Sequence, residues 1–442
     1  MSEVVVILHT EERFAVLRAA QHEIRSHQGR VPDDGFYERK LAGAWDRARR
    51  SDAYRGIGEF SPARFRELPV TPRESLKERP LHYAAVPPDQ AAKYYETTGT
   101  TGTPTPTPRT AEDTIWNTVS VAEAWRPLLA EGARAVVLLP SDIVPVADLV
   151  VGVCEYLDVP HIRAYPFATG ISDWGRLAAV WRTFRPTVVF AAPGVALQFT
   201  RLLAQRGELA ETGASVERLM LLGEVNTAPY RRRLGEWWNA EAHDASYGST
   251  ETGTLAASCR EGRQHLLPAA TYFELDAGDG AVPLTGAGDG RLVVTPLNAH
   301  ARPLLRLDTG DEVSLGGGCP CGSAAPVVTV HGRAADGLLV KGAPLSVRAV
   351  EEVVYGVTEA TGYLLEVDRA GGYARLLLER GFRADRDGEG TARERVQRSS
   401  GELLGLRWDE VVFVNSLPAT TKSGASQKSW KRSNIRHLET VR

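Results

Sequence analysis

Between Tyr95 and Thr110 the chain reads YETTGTTGTPTPTPRT, two glycines and a run of hydroxyls ahead of a helix-like stretch that begins near Ala111. Glycine lets a backbone approach phosphate closely, and threonine hydroxyls together with backbone N–H groups can cradle it. No Lys follows Gly102, so this is not the GxxxxGK[ST] nucleotide loop, and a Thr/Pro linker has the same composition. A second segment, ASYGSTETG from Ala245 to Gly253, sets Tyr247, Gly248, Ser249, Thr250 and Glu251 on an expected loop just after a strand. There an aromatic ring can lie against a base, a hydroxyl can meet a phosphate, and a carboxylate can hold magnesium beside that phosphate. A third segment, RLDTGD, ends in Asp311, whose carboxylate could accept hydrogen bonds from both hydroxyls of a ribose. Taken singly, the second and third segments also read as ordinary polar turns.

A fourth group is Cys259-x5-His265, followed much later by Cys319-Pro320-Cys321-Gly322. Three thiols and one imidazole make a closed tetrahedral zinc set with no position left for water, which is the pattern of a structural site. Buried free cysteines are the plain alternative. Cys154, in an apolar stretch, reads as core.

Taken in order, TTGTTGTPT, Gly223-Glu224, YGSTE, TGD, GRAAD and a Lys-rich C-terminus resemble the adenylate-forming superfamily of acyl- and aryl-CoA ligases. The compact length and HARPLLRLDTGD look most like its phenylacetate-CoA ligase branch, and the resemblance runs from about Leu68 to the end. It implies that Thr97, Thr98, Gly99, Thr100, Thr101, Gly102 and Thr103 surround the β- and γ-phosphates of ATP. It also implies that Tyr247 lines the adenine site with Gly248 and Ser249 beside it, that Thr250 contacts the α-phosphate, and that Glu251 binds Mg2+. Asp311 would hold the ribose, Gly223 and Glu224 would shape the wall between adenine and acid, and Arg333 would contact the nucleotide near a hinge at Asp336. Some relatives share the Cys259, His265, Cys319, Cys321 pattern, which favours zinc there.

The chain departs from its relatives at the catalytic lysine. They read P-x-T-x-S-G-K, whereas PATTKSGA puts Ala425 in that place. Lys428 in QKSWKR, followed by Lys431 and Arg432, is the first candidate and Lys422 the second. A lysine is needed because a carboxylate attacking an α-phosphate brings two anions together, and a mobile point cation can stabilise the charge that develops. The implied activity is formation of an acyl-adenylate from ATP and a small, by resemblance aromatic, acid, then transfer to the thiol of CoA or of a carrier protein. Lys341-Gly342 would lie near the thiol's path. Transfer to an amine, or nitrite activation as in diazotases, is the alternative within enzymes. A nucleotide-binding sensor without catalysis is the alternative outside them.

The elements that must position these residues follow from periodicity. From Arg134 onward, short β-rich runs (AVVLLP, HIRAY, TVVFAAP, RLMLLGE) alternate with stretches of helical spacing, the pattern of a parallel α/β sheet. After Pro193-Gly194, Val195, Phe199, Leu202 and Leu203 fall on one helical face. The first ninety residues read as polar helices broken by Pro69, Pro72 and Pro80, and DAGDGAVPLTGAGDG reads as turns between β elements. The expected fold is α/β. A large N-terminal domain, 1–332, has mainly parallel sheets and helices plus a small β-barrel-like part. A small mobile α+β C-terminal domain, 333–442, follows a boundary near Arg333. In the small domain, YLLEVDRAGGYARLLLE reads as a hairpin turning at Gly371-Gly372, ARERVQRSSGELL as a helix and EVVFV as a strand.

Bulk composition agrees. With 442 residues, 43% apolar and 24% charged, the chain has material for two or three domains and a large core. A net charge of −3 and no long basic run provide no field for nucleic acid or anionic lipid. No apolar stretch reaches the roughly 18 residues of a membrane span. Four cysteines are too few for a disulfide scaffold, and Glu3 stands where a secretion signal wants cations, so a cytoplasmic protein is expected. A homodimer is compatible with this sequence.

Overall fold

The computed structural model describes residues 10–97, 104–167, 170–284, 286–333, 338–368, 371–382, 387–418 and 434–438. They gather into two compact units. One is Met1–Gly132, Pro140–Pro160 and Ala245–His331; the other is Ala133–Leu139, His161–Asp244 and Gly332–Arg442.

The first unit is built on an eight-stranded sheet. Its order is Ala281–Pro283, Thr271–Asp276, Gly288–Pro296, Leu307–Gly316, Val327–Arg333, Gln264–Leu266, Gly253–Ser258, Ser246–Ser249, and its described pairings are antiparallel. Its inner face buries Leu255, Phe273, Leu292 and Val294. Helices Glu11–Ser26 and Asp34–Ala48 supply Ile24, Phe36, Leu41 and Trp45 to the same core. Both helices start where a side chain takes an otherwise orphaned N–H: Thr10 caps the first and Asp33 the second.

Helix Ala111–Trp125 opens on a reciprocal capping box between Thr110 and Asp113. The buried Asp113 carboxylate also accepts from the backbone N–H groups of His300 (2.6 Å) and Ala301 (3.1 Å), so one side chain ties the helix start to the segment before the TGD strand. Immediately upstream, Lys93–Glu96 and Pro106–Arg109 pair antiparallel, one on each side in sequence of the threonine- and glycine-rich segment.

The second unit contains the parallel sheet that the buried runs predict. Its order is His161–Arg163, Ala135–Leu138, Val188–Ala191, Arg218–Leu221, Glu241–Asp244, with every pairing parallel. The central strands are buried along their whole length, which is why they read as continuous apolar runs rather than alternating ones. Helix Pro193–Arg206 buries Val195, Phe199 and Leu203 on the predicted face and ends at Gly207 in the left-handed region (φ 72°).

The C-terminal part of this unit holds a four-stranded mixed sheet in the order Glu410–Val414, Ala374–Glu379, Gly362–Asp368, Ile435–Leu438. Helices Val347–Val357 and Glu389–Leu404 accompany it. The hairpin around Gly371, the helix and the EVVFV strand are all formed. A second hairpin, Leu338–Val340 with Ala343–Leu345, turns through Lys341 (φ 51°) and Gly342 (φ 79°). Positive φ at both central residues gives the tight turn whose twist matches the flanking strands. Within the unit, the buried Glu351 carboxylate accepts from the backbone N–H of Thr227 at 3.1 Å, and Arg201 pairs with the buried Glu379.

Candidate functional site

The segment holding Tyr247 to Glu251 is a hairpin rather than a loop. Ser246–Ser249 pairs with Gly253–Ser258, with a register shift between Tyr247 and Gly248. A Cβ on Gly248 would stand 2.2 Å from the carbonyl oxygen of Gly253, so the bulge requires glycine there. Ser249 and Thr252 close the turn: their hydroxyls are 3.0 Å apart, and the Ser249 hydroxyl accepts from the Thr252 N–H at 3.2 Å. Asn117, on helix Ala111–Trp125, accepts from the Thr254 N–H at 2.9 Å and anchors the returning strand.

Asp311 also lies inside a strand, Leu307–Gly316, rather than in a turn. It accepts from the phenol of Tyr247 at 2.7 Å. Burial, reinforced by the Asp311 anion, pushes the Tyr247 phenol well above its ordinary pKa, which keeps it a protonated donor.

Glu251 is buried, at 5% exposure, with the Arg73 guanidinium 3.4 Å from its carboxylate. Burial alone would raise its pKa. The Arg73 cation, a backbone N–H and Arg302 outweigh that and hold the carboxyl below its usual range. Arg73 also donates to the Thr309 carbonyl at 3.3 Å, joining the STE and TGD segments through one side chain. It gets there because Thr71 forms a parallel bridge with Leu307.

Two more arginines fix the backbone around this carboxylate. Arg109, at the end of the hairpin strand Pro106–Arg109, donates to the carbonyls of Thr250 (2.8 Å) and Glu251 (3.2 Å). Arg302, at 1% exposure, donates to the Pro106 carbonyl (2.6 Å) and the Thr107 hydroxyl (2.9 Å), and burial pulls its pKa down to about 10. The Thr97 hydroxyl accepts from the Thr105 N–H at 2.9 Å.

Of the predicted residues, Thr97, Tyr247, Gly248, Ser249, Thr250, Glu251 and Asp311 thus all belong to the first unit, and hydrogen bonds connect Tyr247 to Asp311 and Glu251 to the TGD strand. Gly223 (φ 88°) and Glu224 belong to the second unit, where the Glu224 carboxylate caps helix Pro193–Arg206 by accepting from the Gly194 N–H at 2.9 Å. Arg333 is the last residue of strand Val327–Arg333. Thr98, Gly99, Thr100, Thr101, Gly102, Thr103, Asp336, Lys422 and Lys428 lie outside the described residues. Arg73, Arg109, Arg302 and Asp113 are absent from the sequence-based set. Arg302, a charge in the apolar run ARPLL, carried the one local sign, because a buried arginine is rare unless paired.

The four metal-type ligands converge. The candidate ligand atoms of Cys259, His265, Cys319 and Cys321 all lie within 4.8 Å of one another. The sulfurs of Cys259 and Cys319 are 3.7 Å apart, and the Cys321 sulfur is 3.4 Å from His265 Nε2. Zinc–sulfur bonds of about 2.3 Å in a tetrahedron put sulfurs about 3.8 Å apart, so these positions fit one such ion and not a disulfide. His265 Nδ1 is 2.7 Å from the Ala325 carbonyl, a contact that leaves Nε2 free to ligate. A cavity of about 560 Å³ is lined partly by Cys259, His265, Cys321, Glu123 and His27; Tyr247, Glu251 and Asp311 do not line it.

No protein-family model matches the chain. It is 28% identical over 375 residues to phenylacetate-coenzyme A ligase of Thermus thermophilus, spanning 82% of this chain and 78% of that protein. It is 24% identical over 321 residues to the phenylacetate-coenzyme A ligase of Escherichia coli, spanning 69% and 70%. Among solved structures, 2-hydroxyisobutyryl-CoA ligase in the postadenylation state with 2-HIB-AMP aligns at a TM-score of 0.71 and 18% identity, covering 98% of this chain and 91% of that one. At that identity the likeness establishes a shared fold. Among the described residues, no helix is long and apolar enough to cross a membrane.

Proposed function

We propose that the chain is an adenylate-forming enzyme, an AMP-forming acid–CoA ligase, which converts a small, aromatic carboxylic acid to an acyl-adenylate with ATP and passes it to the thiol of CoA; its similarity to phenylacetate-coenzyme A ligases supports this reading. The observation that carries this reading is the hydrogen-bonded set of Tyr247, Asp311, Glu251 and Arg73, which gathers ring, carboxylates and cation from three distant segments.

In this reading Asp311 exchanges the Tyr247 phenol for ribose hydroxyls, and Thr250 meets the α-phosphate. Glu251, buried and held ionised, would offer one hard oxygen ligand to Mg2+, which suits an ion that keeps much of its hydration and needs few protein ligands. The ion would neutralise charge on the phosphates while the chain's own residues hold them in place. Lys428, with Lys422 as the second candidate, brings the late cation to the α-phosphate. Residues 1–332 form the adenylating domain and 333–442 a lid that turns about Asp336 between the two half-reactions. Cys259, His265, Cys319 and Cys321 hold a structural zinc.

The test is a panel of small acids assayed for AMP and pyrophosphate release with and without CoA. The proposal requires an acyl-CoA product and AMP in equal amounts. AMP released only with an amine or with nitrite would replace it with amide or N–N bond formation, and no AMP with any acid would leave a nucleotide-binding sensor.

A further inference from the structure

Three arginines surround Glu251, and their bonding divides them. Arg109 and Arg302 are locked to backbone carbonyls by short bonds, 2.8 Å to Thr250 and 2.6 Å to Pro106. Arg73 is held at 3.4 Å by the Glu251 carboxylate and at 3.3 Å by the Thr309 carbonyl, both at the long end of the hydrogen-bond range. Its side chain keeps 14% exposure, against 1% for the whole of Arg302. Two of the three cations are therefore scaffold, and the third is loosely held on a side chain with several rotatable torsions.

The carboxylate it touches is the proposed magnesium ligand, at 5% exposure. Burying an anion without a counter-charge is costly, so an empty site needs a resident cation at Glu251. A divalent ion arriving on the same oxygen makes that cation redundant and repels it.

We propose that Arg73 is the resident counter-ion of Glu251 and that it yields the carboxylate to the metal when magnesium-ATP binds. Arg73 is in this sense a positioning residue, which keeps the buried Glu251 anion neutralised until the metal takes its place. The inference rests on the nucleotide reading of the site and assigns a role to a residue outside the recognised motifs.

The test is calorimetric binding of ATP to the full chain, once with EDTA and once with excess magnesium, for the wild type, Arg73→Gln and Arg73→Lys. Without the Arg73 cation the Glu251 anion faces the phosphates unneutralised, which should weaken metal-free ATP binding by Arg73→Gln about ten- to a hundredfold. Magnesium-ATP should bind Arg73→Gln within about threefold of wild type, because the metal replaces the lost charge at Glu251. Arg73→Lys, which keeps the positive charge, should recover most of the metal-free affinity. A parallel fall in both affinities, or no fall in either, overturns the proposal, as does an Arg73→Lys protein that behaves like Arg73→Gln. Wild-type protein that binds neither form of ATP would overturn the nucleotide reading itself, and the proposal with it.

Discussion

The phenol of Tyr247 donates to the carboxylate of Asp311 at 2.7 Å, across a separation of 64 positions. The bulge at Gly248 interrupts the strand register directly beside that ring, and Gly310 (φ 73°) precedes the carboxylate. A phenylalanine at position 247 keeps the ring and removes the donor. Tyr247→Phe should lower folding stability by about 1 kcal/mol, read as a shift in the urea midpoint with the slope unchanged, while ATP binding persists.

Arg109 holds the backbone on which Thr250 and Glu251 ride. One terminal nitrogen, Nη2, donates to both carbonyls. Arg109→Met, which keeps much of the apolar stem and removes the donors, should therefore bind ATP yet lose about a hundredfold in pyrophosphate exchange, the scale expected when reacting groups shift by about 1 Å. Exchange at the wild-type rate would show that this clamp is dispensable.

Metal content separates the cysteines. The purified chain should carry about one zinc, and Cys319→Ser should carry much less and unfold at lower temperature. Cys154 is fully buried, and burial pushes its thiol up to about 12, so Cys154→Ser should keep the metal. Elemental analysis of the three proteins decides the assignment.

Glu123 gives the fold a dependence on acid. Burial alone would raise its pKa, but Arg126, Tyr156 and Arg25 outweigh it and hold the carboxyl at about 2. A depressed folded-state pKa contributes stability that is complete above the unfolded value and is lost as pH falls toward the folded one. Glu123→Gln should thus be less stable than wild type at neutral pH, with the gap closing between about pH 5 and pH 2. Urea midpoints measured across that window provide the comparison.

The late cation is tested by single substitution. Lys428→Ala should abolish adenylate formation while leaving ATP affinity intact, and Lys422→Ala should retain it. Near-normal pyrophosphate exchange by Lys428→Ala, with loss in Lys422→Ala, would exchange the two assignments.

Sequence alone determined whatever depends on neighbours within a few positions. The strands Ala135–Leu138 and Val188–Ala191 were legible because a strand buried on both faces must be apolar throughout, and helix Pro193–Arg206 because its apolar residues repeat with the helical turn. Tyr247, Glu251 and Asp311 stood out as candidates because glycine and hydroxyl residues mark places where a backbone can approach a ligand. What only the tertiary structure decided is which distant groups meet. That Arg73 reaches a carboxylate 178 positions away depends on Thr71 lying beside Leu307, and no local pattern encodes such a bridge. The Cys and His side chains named a metal by their chemistry, but their convergence depends on strand Gln264–Leu266 pairing with both Gly253–Ser258 and Val327–Arg333. Side-chain type is local information; the register of a sheet and the partner of a charge are set by the whole chain's packing, because burying a charge is tolerable only where the fold brings its opposite.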